Sequence, residues 1–221
     1  TNLVGELVIP KSVKNIGQSA FQGLTLGKIT LFTDSELTTI GISAFQGSGI
    51  SGELQIPPSV NEIGNYAFSE CQGLTSVSFY TMDSDVALSI GDFAFYDCEN
   101  LDCYLDIPVF VSNIGKYAFA NCEKLKGHLS VGLGIEIGEG AFENSGSFDI
   151  TAINVYSYDE EDNKEYDIKA ETFKGLNVVG KLTIPAPVKN IENSAFEGCK
   201  GITSLSFEDG YSGVPLKIDA I

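Results

Sequence analysis

The sequence predicts an α/β repeat fold: a right-handed solenoid of about eight stacked rungs of 23–31 residues, each a short strand followed by a short helical turn. Three observations predict it. A run Ile-Gly-x-x-Ala-Phe begins at Ile16, Ile40, Ile63, Ile90, Ile114 and Ile137, with degenerate copies at Ile168 and Ile191 and a ninth start at Ile218. The closing aromatics, Phe21, Phe45, Phe68, Phe95, Phe119, Phe142, Phe173 and Phe196, are 24, 23, 27, 24, 23, 31 and 23 residues apart. Ahead of each run lies a second apolar pattern, as in Leu26, Ile29 and Leu31 or Leu74, Val77 and Phe79.

The last two apolar positions of that second pattern alternate, which is the period of a short strand with one face buried. A proline often follows, as at Pro10, Pro57, Pro108 and Pro185. It has no N–H to give a ladder, so it ends the strand and turns the chain. Gly after the second Ile allows a turn, and x-x-Ala-Phe is long enough for about one helical turn. No such unit buries its own apolar face, but stacked units share a continuous core. Leu54, Ile56, Val60, Ile63, Ala67 and Phe68, with their equivalents, are therefore expected to point inward at a rise of roughly 5 Å per rung.

The run Val111-Ser-Asn-Ile-Gly-Lys-Tyr-Ala-Phe-Ala-Asn-Cys-Glu-Lys-Leu125, read with the Leu-x-x-Ile-x-Ile-Pro strand pattern, resembles the BspA-like class of leucine-rich repeats. The likeness runs along essentially the whole chain. It implies a leucine-rich-repeat solenoid and a surface protein of a bacterium or protist. It also implies adhesion or binding of a protein or glycan ligand, in an extracellular or cell-surface setting. It brings no catalytic residue and no cofactor.

The chain opens at Gly5-Glu-Leu-Val-Ile-Pro10, which aligns with Gly52-Glu-Leu-Gln-Ile-Pro57, and closes inside another unit. Residues 1–221 are thus expected to form a single solenoid, uncapped at both ends and part of a longer array. End-to-end self-association through open rungs, as a structural spacer or filament segment, is the alternative function.

Charge narrows the partners. Thirteen Lys and Arg against 30 Asp and Glu leave −17, with no basic cluster. Nucleic acid and anionic lipid both demand a basic footprint. No apolar run is long enough to cross a bilayer. No asparagine stands in an Asn-x-Ser/Thr sequon.

Compact rungs alternate with rungs in which a variable polar segment replaces the proline corner: Phe32 to Thr39, Tyr80 to Ser89, Tyr156 to Asp167 and Glu208 to Lys217. Stacking places these on one edge, where inserted loops of repeat proteins often bind. The segment from Tyr156 is expected to be the most mobile. Asp83, Asp85, Asp159, Glu160, Glu161 and Asp162 make this edge acidic, which suits a cation, a basic partner or simple solvation. No Asp-x-Asp-x-Asp-Gly calcium loop is present.

Catalytic and metal chemistry find little support. Cys71, Cys98, Cys122 and Cys199 share one phase with Leu24, Ser48, Ser145 and Leu176. They are expected to be buried, reduced thiols, the alternative being disulfides between successive rungs. Cys103 lies off this phase. The lone His128 and the absence of Cys-x-x-Cys leave no zinc set and no Ser-His or Cys-His pair marked by a local signature. Glycines recur with the repeat instead of forming a phosphate loop.

The phase just before the repeat Ala reads Ser19, Ser43, Tyr66, Phe93, Tyr117, Gly140, Glu171 and Ser194. Three successive rungs place an aromatic there, and Tyr96 lies beside them. Tyr66, Phe93, Tyr96 and Tyr117 are therefore the candidate ligand-binding residues, either as a platform for a sugar or protein or as a ladder that only stiffens the stack.

Overall fold

The structure, a computed structural model, describes residues 5–80, 87–108, 110–128, 135–149, 166–184, 188–207 and 217–218. Strands of two families alternate along the chain, with one exception. The first family is β1 (Leu7–Val8), β3 (Ile29–Thr30), β5 (Ser51–Ile56), β7 (Gly73–Phe79), β10 (Lys126–His128), β12 (Ser147–Asp149), β14 (Asn177–Ile184) and β16 (Lys200–Phe207). The second is β2 (Asn15–Ile16), β4 (Thr39–Ile40), β6 (Glu62–Ile63), β8 (Leu88–Ile90), β9 (Val111–Ile114), β11 (Glu136–Ile137), β13 (Tyr166–Ile168), β15 (Val188–Ile191) and β17 (Lys217–Ile218). The exception is the rung between β8 and β9, which among the described residues has only an isolated bridge, Tyr104 to Lys126, in place of a first-family strand. All pairings are parallel and join equivalent phases: Leu54 opposes Val77, and Ile40 opposes both Ile16 and Ile63.

The predicted inward set is inward. Leu54, Ile56, Val60, Ile63, Ala67 and Phe68 are buried, as are their equivalents in the middle rungs. The eight repeat phenylalanines form one column of nearly parallel rings. Neighbouring centroids are 5.1–5.6 Å apart except between Phe142 and Phe173, where the gap is 6.4 Å. That spacing is the strand-to-strand distance of a sheet, so the backbone ladders set it and the rings follow.

The predicted helical turn is absent: no helix occurs among the described residues. The second strand family was not foreseen, and in place of the helix the chain makes successive tight turns. In the second rung Ala44, Gln46 and Ser48 donate their N–H groups back to Gly41, Ser43 and Phe45. The intervening Ser43, Phe45 and Gly47 donate theirs to Asn65, Ala67 and Ser69 of the next rung. An α-helix spends its interior N–H groups on its own carbonyls four residues back. Here every second one ties two rungs together.

Two residues of each corner take left-handed backbone to achieve this. The second of these positions is Gly23, Gly47, Glu70, Asp97, Asn121, Asn144, Gly175 and Gly198. It is rich in the Gly and Asn that tolerate such φ values.

Rungs also approach closely at the Gly after each Ile. A Cβ on Gly91 would lie 2.5 Å from Asn65 Oδ1 and 2.6 Å from the Asn65 nitrogen, whereas Gly17 has open space around it. Gly91→Ala is expected to destabilise by roughly 1–3 kcal/mol, as overpacking does. Gly17→Ala should be neutral or slightly stabilising. Urea melts of the two variants check this, and equal midpoints would show that the close approach is not enforced.

Candidate functional site

Tyr66, Phe93 and Tyr117 occupy the first left-handed position of their corners, at φ values of 59°, 58° and 53°. Their N–H groups donate to Asp92, Lys116 and Glu139 of the following rungs, which fixes each Cα over the next. The rings stack in consequence. Tyr66 and Phe93 have centroids 4.9 Å apart and planes within 3°, and Phe93 and Tyr117 are at 5.2 Å and 22°. Tyr96 meets Phe93 edge-on at 5.5 Å. Its hydroxyl accepts a hydrogen bond from Asn121 Nδ2 at 3.2 Å. All four candidate residues are therefore brought together in one patch.

Ring orientation decides what the patch presents. Both faces of Phe93 are covered by its stacked neighbours. Beyond Tyr117 the column ends on Gly140, where an added Cβ would lie 2.2 Å from Tyr117 Cε1. The Tyr117 hydroxyl reaches past that glycine to donate to Glu171 Oε2 at 3.5 Å. Burial raises the Tyr117 phenol above its ordinary pKa, and the charges of Glu139, Glu171 and Glu143 add to the shift. At the other end Tyr66 is the most open ring, 37% exposed, and faces a rung whose Ile42 is 46% exposed. The outward surface is thus a row of ring edges and phenol groups extended by Ile42, a residue that sequence reasoning passed over.

Asp83, Asp85, Asp159, Glu160, Glu161 and Asp162 of the acidic edge all lie outside the described residues, as does most of the segment from Tyr156 to Asp167. Of the four variable segments only Phe32 to Thr39 is described in full. There Asp34 pairs with Lys11 at 2.6 Å, and Glu36 pairs with Lys14 at 3.5 Å. Among the described residues no group of three or more His, Cys, Asp or Glu side chains converges on a metal position. No helix among the described residues is long and apolar enough to cross a membrane.

The five cysteines are free thiols. Cys71, Cys98 and Cys122 are buried as expected, but Cys199 is only half-buried, because the faces of its rung are less covered than those in the middle of the stack. Their phase has a role beyond small size. Cys71, Cys98 and Cys122 donate their S–H groups to the carbonyls of Phe45, Phe68 and Phe95 in the preceding rung, each at 3.1 Å. Cys199 does the same to Phe173 at 2.9 Å, and the Ser145 hydroxyl donates to Phe119. Those carbonyls lie inside the corner, where Phe45, Phe68 and Phe173 already accept a turn N–H from Ser48, Cys71 and Leu176, and the thiol supplies the second donor. The interchange of Cys with Ser at this phase was the readable signal of a donor.

The chain matches the BspA type leucine rich repeat region in six copies, over residues 2–126, 38–161 and 166–215. No curated protein matches it. Among solved structures it is similar to a leucine rich cell surface protein of Faecalibacterium prausnitzii A2-165, at 22% identity and a TM-score of 0.41. That match covers 94% of this chain and 60% of the other. A leucine-rich repeat protein of Bacteroides ovatus ATCC 8483 is also similar, with 22% identity, a TM-score of 0.41, and 91% of this chain and 63% of the other covered. The chain spans less than two thirds of the length of either.

Proposed function

Since the chain belongs to the BspA-type leucine-rich-repeat family, we propose that it is a non-enzymatic recognition module of a cell surface, and that it binds a protein ligand at Tyr66, Phe93, Tyr96 and Tyr117. One observation carries this reading. Left-handed backbone costs a residue with a side chain about 1–2 kcal/mol, and bulky side chains at positive φ are outliers. The second left-handed position of each corner mostly follows that rule, with Gly, Asn or Asp in seven of its eight places. The first position breaks it with aromatics in three successive rungs. A stacked aromatic pair contributes about 0.5–1.5 kcal/mol, which roughly offsets the backbone cost and leaves little net stability to account for the choice.

Ring orientation favours a protein over a sugar. A sugar ring is held by lying flat on an aromatic face, and here both faces of Phe93 and one face each of Tyr66 and Tyr117 are taken by stacking. Edges, phenol groups and the neighbouring Ile42 suit the mixed apolar and hydrogen-bonding chemistry of protein hot spots.

The test is to pan the immobilised chain against a random-peptide phage library and, in parallel, a glycan array. Peptides should be enriched. Tyr66→Ser, Phe93→Ser and Tyr117→Ser should each weaken the selected peptide at least about tenfold, a loss of the hot-spot class. Ser19, Ser43 and Ser194 already hold this position elsewhere, so each variant should lose only about 1 kcal/mol, or roughly 2–4 °C in Tm. Lowered Tm with unchanged peptide binding would make the ladder structural. A glycan hit without peptides would reject the protein reading. Light-scattering length that grows with concentration, with no ligand of either kind, would favour the spacer.

A further inference from the structure

Consecutive rungs are joined on the side of the second strand family by one recurring bond. The residue after the Ile of one rung donates its N–H to the Ile carbonyl of the rung before: Gly41 to Ile16, Gly64 to Ile40, Gly91 to Ile63, Gly115 to Ile90, Gly138 to Ile114 and Glu192 to Ile168. Between Ile137 and Lys169 that bond is missing among the described residues. The sheet divides there into a six-stranded part that ends on β11 and a three-stranded part that begins with β13.

The cause is readable. At Gly41, Gly64, Gly91, Gly115 and Gly138 a Cβ would lie 2.4–2.8 Å from backbone atoms of the rung before, so at these five rungs the close approach depends on glycine. Lys169 brings that Cβ. Glu192 brings one too and still bonds Ile168 at 2.9 Å, in a pair whose register shifts between Tyr166 and Asp167, so a Cβ hinders the approach without forbidding it.

The two rungs remain joined elsewhere. Phe142 and Asn144 donate to Thr172 and Lys174, and β12 pairs with β14. The gap therefore opens on one side only, as a cleft of about 650 Å³. Its floor includes the half-buried Ile135 and Ile137. Its walls carry five carboxylates, Asp92, Glu136, Glu139, Asp167 and Glu192, against Lys116 and Lys169. Both lysines are already engaged, Lys116 by Glu139 at 3.1 Å and Lys169 by Asp167 and Glu192, each at 3.1 Å. Glu136 forms no ion pair among the described residues.

The geometry points to a docking cleft for an extended, basic peptide segment of another protein, added as a strand between β11 and β13. Three features recognise that chemistry. The Ile137 carbonyl at the end of β11 and the Lys169 N–H just past the end of β13 are a facing acceptor and donor, the groups that strand addition uses. Ile135 and Ile137 offer apolar contact to alternate side chains of the incoming strand. The excess of three negative charges, with Glu136 free, attracts Lys or Arg and repels an acidic segment. Asp92, Lys116 and Glu139 adjoin the aromatic row through their backbone carbonyls, but none of the four aromatic side chains lines the cleft, and neither proposal requires the other.

The experiment is fluorescence anisotropy of the full chain with a labelled hexapeptide of alternating Val and Lys. Two comparison peptides accompany it, one with Glu for Lys and one N-methylated on alternate amides. The basic peptide should bind saturably and the acidic one should not. N-methylation and Glu136→Lys should each weaken binding at least about tenfold. Lys169→Gly separates strand addition from simple charge. Removing a lysine would strengthen the attraction of a basic peptide if charge alone acted. If the cleft takes a strand, glycine lets the rung close onto β11, so binding is lost while Tm does not fall. Absent saturable binding, equal binding of the N-methylated peptide, or equal or tighter binding by Lys169→Gly would each overturn the assignment. Tyr66→Ser should bind the basic hexapeptide as the parent does, so failure at the aromatic row and failure here are told apart.

Discussion

Phe95→Ala is expected to cost about 3–5 kcal/mol, the upper range for a buried aromatic cut to a methyl. Phe95 is fully buried, between Phe68 at 5.2 Å and Phe119 at 5.1 Å. Its neighbours cannot close over the void, because the Phe68 N–H is bonded to Ala94 at 2.8 Å and the Phe95 N–H to Ala118 at 2.7 Å. The backbone holds the rungs apart at the strand spacing, so the full cavity persists. Each rung touches only its neighbours, and a weak middle rung should divide the array into two blocks that melt separately. Urea unfolding should show a lower midpoint and a broadened or two-step transition. Phe21→Ala, at a half-buried ring with one stacked neighbour, should cost distinctly less. A loss below about 1 kcal/mol for Phe95→Ala would show that the column is not tightly packed.

Alkaline pH should weaken the fold steeply through three thiols. Burial pushes Cys71 up to about 11 and drives Cys98 and Cys122 well above the ordinary thiol range. In the unfolded chain a thiol ionises near 8.5. Below that value both states hold their protons and stability is complete. Above it the unfolded chain releases three protons that the folded chain keeps, so stability falls with rising pH until the folded thiols themselves ionise, for Cys71 at about 11. Each thiol contributes about 1.4 kcal/mol per pH unit, so three give about 4 kcal/mol between pH 9 and 10. The Cys71→Ser/Cys98→Ser/Cys122→Ser variant should lack this component and keep the donors, since Ser145 already fills the same place in its own rung. Urea midpoints at pH 8 and pH 10 decide it. The same alkaline loss in both proteins would assign the effect to other groups.

The repeat was legible because it rests on periodic apolar residues. Ile40, Phe45, Leu54 and Ile63 carry the pattern and are the residues the structure buries. The helical turn was misread because its five residues were judged by length and by the leading Gly. Conformation there depends on which N–H groups cross to the next rung, and that pairing is not local. The Gly, Asn and Asp at the second left-handed position did carry the sign of it, from Gly47 through Asn144. The aromatic row was found from phase alone, as far as its approximate ring spacing. That its rings turn edges outward depends on φ at Tyr66, Phe93 and Tyr117, which no composition rule supplies. The cleft was missed because Lys169 reads as an ordinary polar substitution until a Cβ at the equivalent glycines is seen to have no room.

The crossing N–H groups have a mechanical consequence. Bonds such as Ser43 to Asn65 and Phe45 to Ala67 run along the direction in which the rungs stack. Tension applied along that direction loads one interface in series with the next, and the weakest yields first while the others keep their bonds. A rung of 23 residues, once peeled away, pays out roughly 80 Å of chain. Pulled along the stack, the chain should therefore lengthen in discrete steps, the first beginning at the division between β11 and β13, where one bond of the ladder is absent among the described residues.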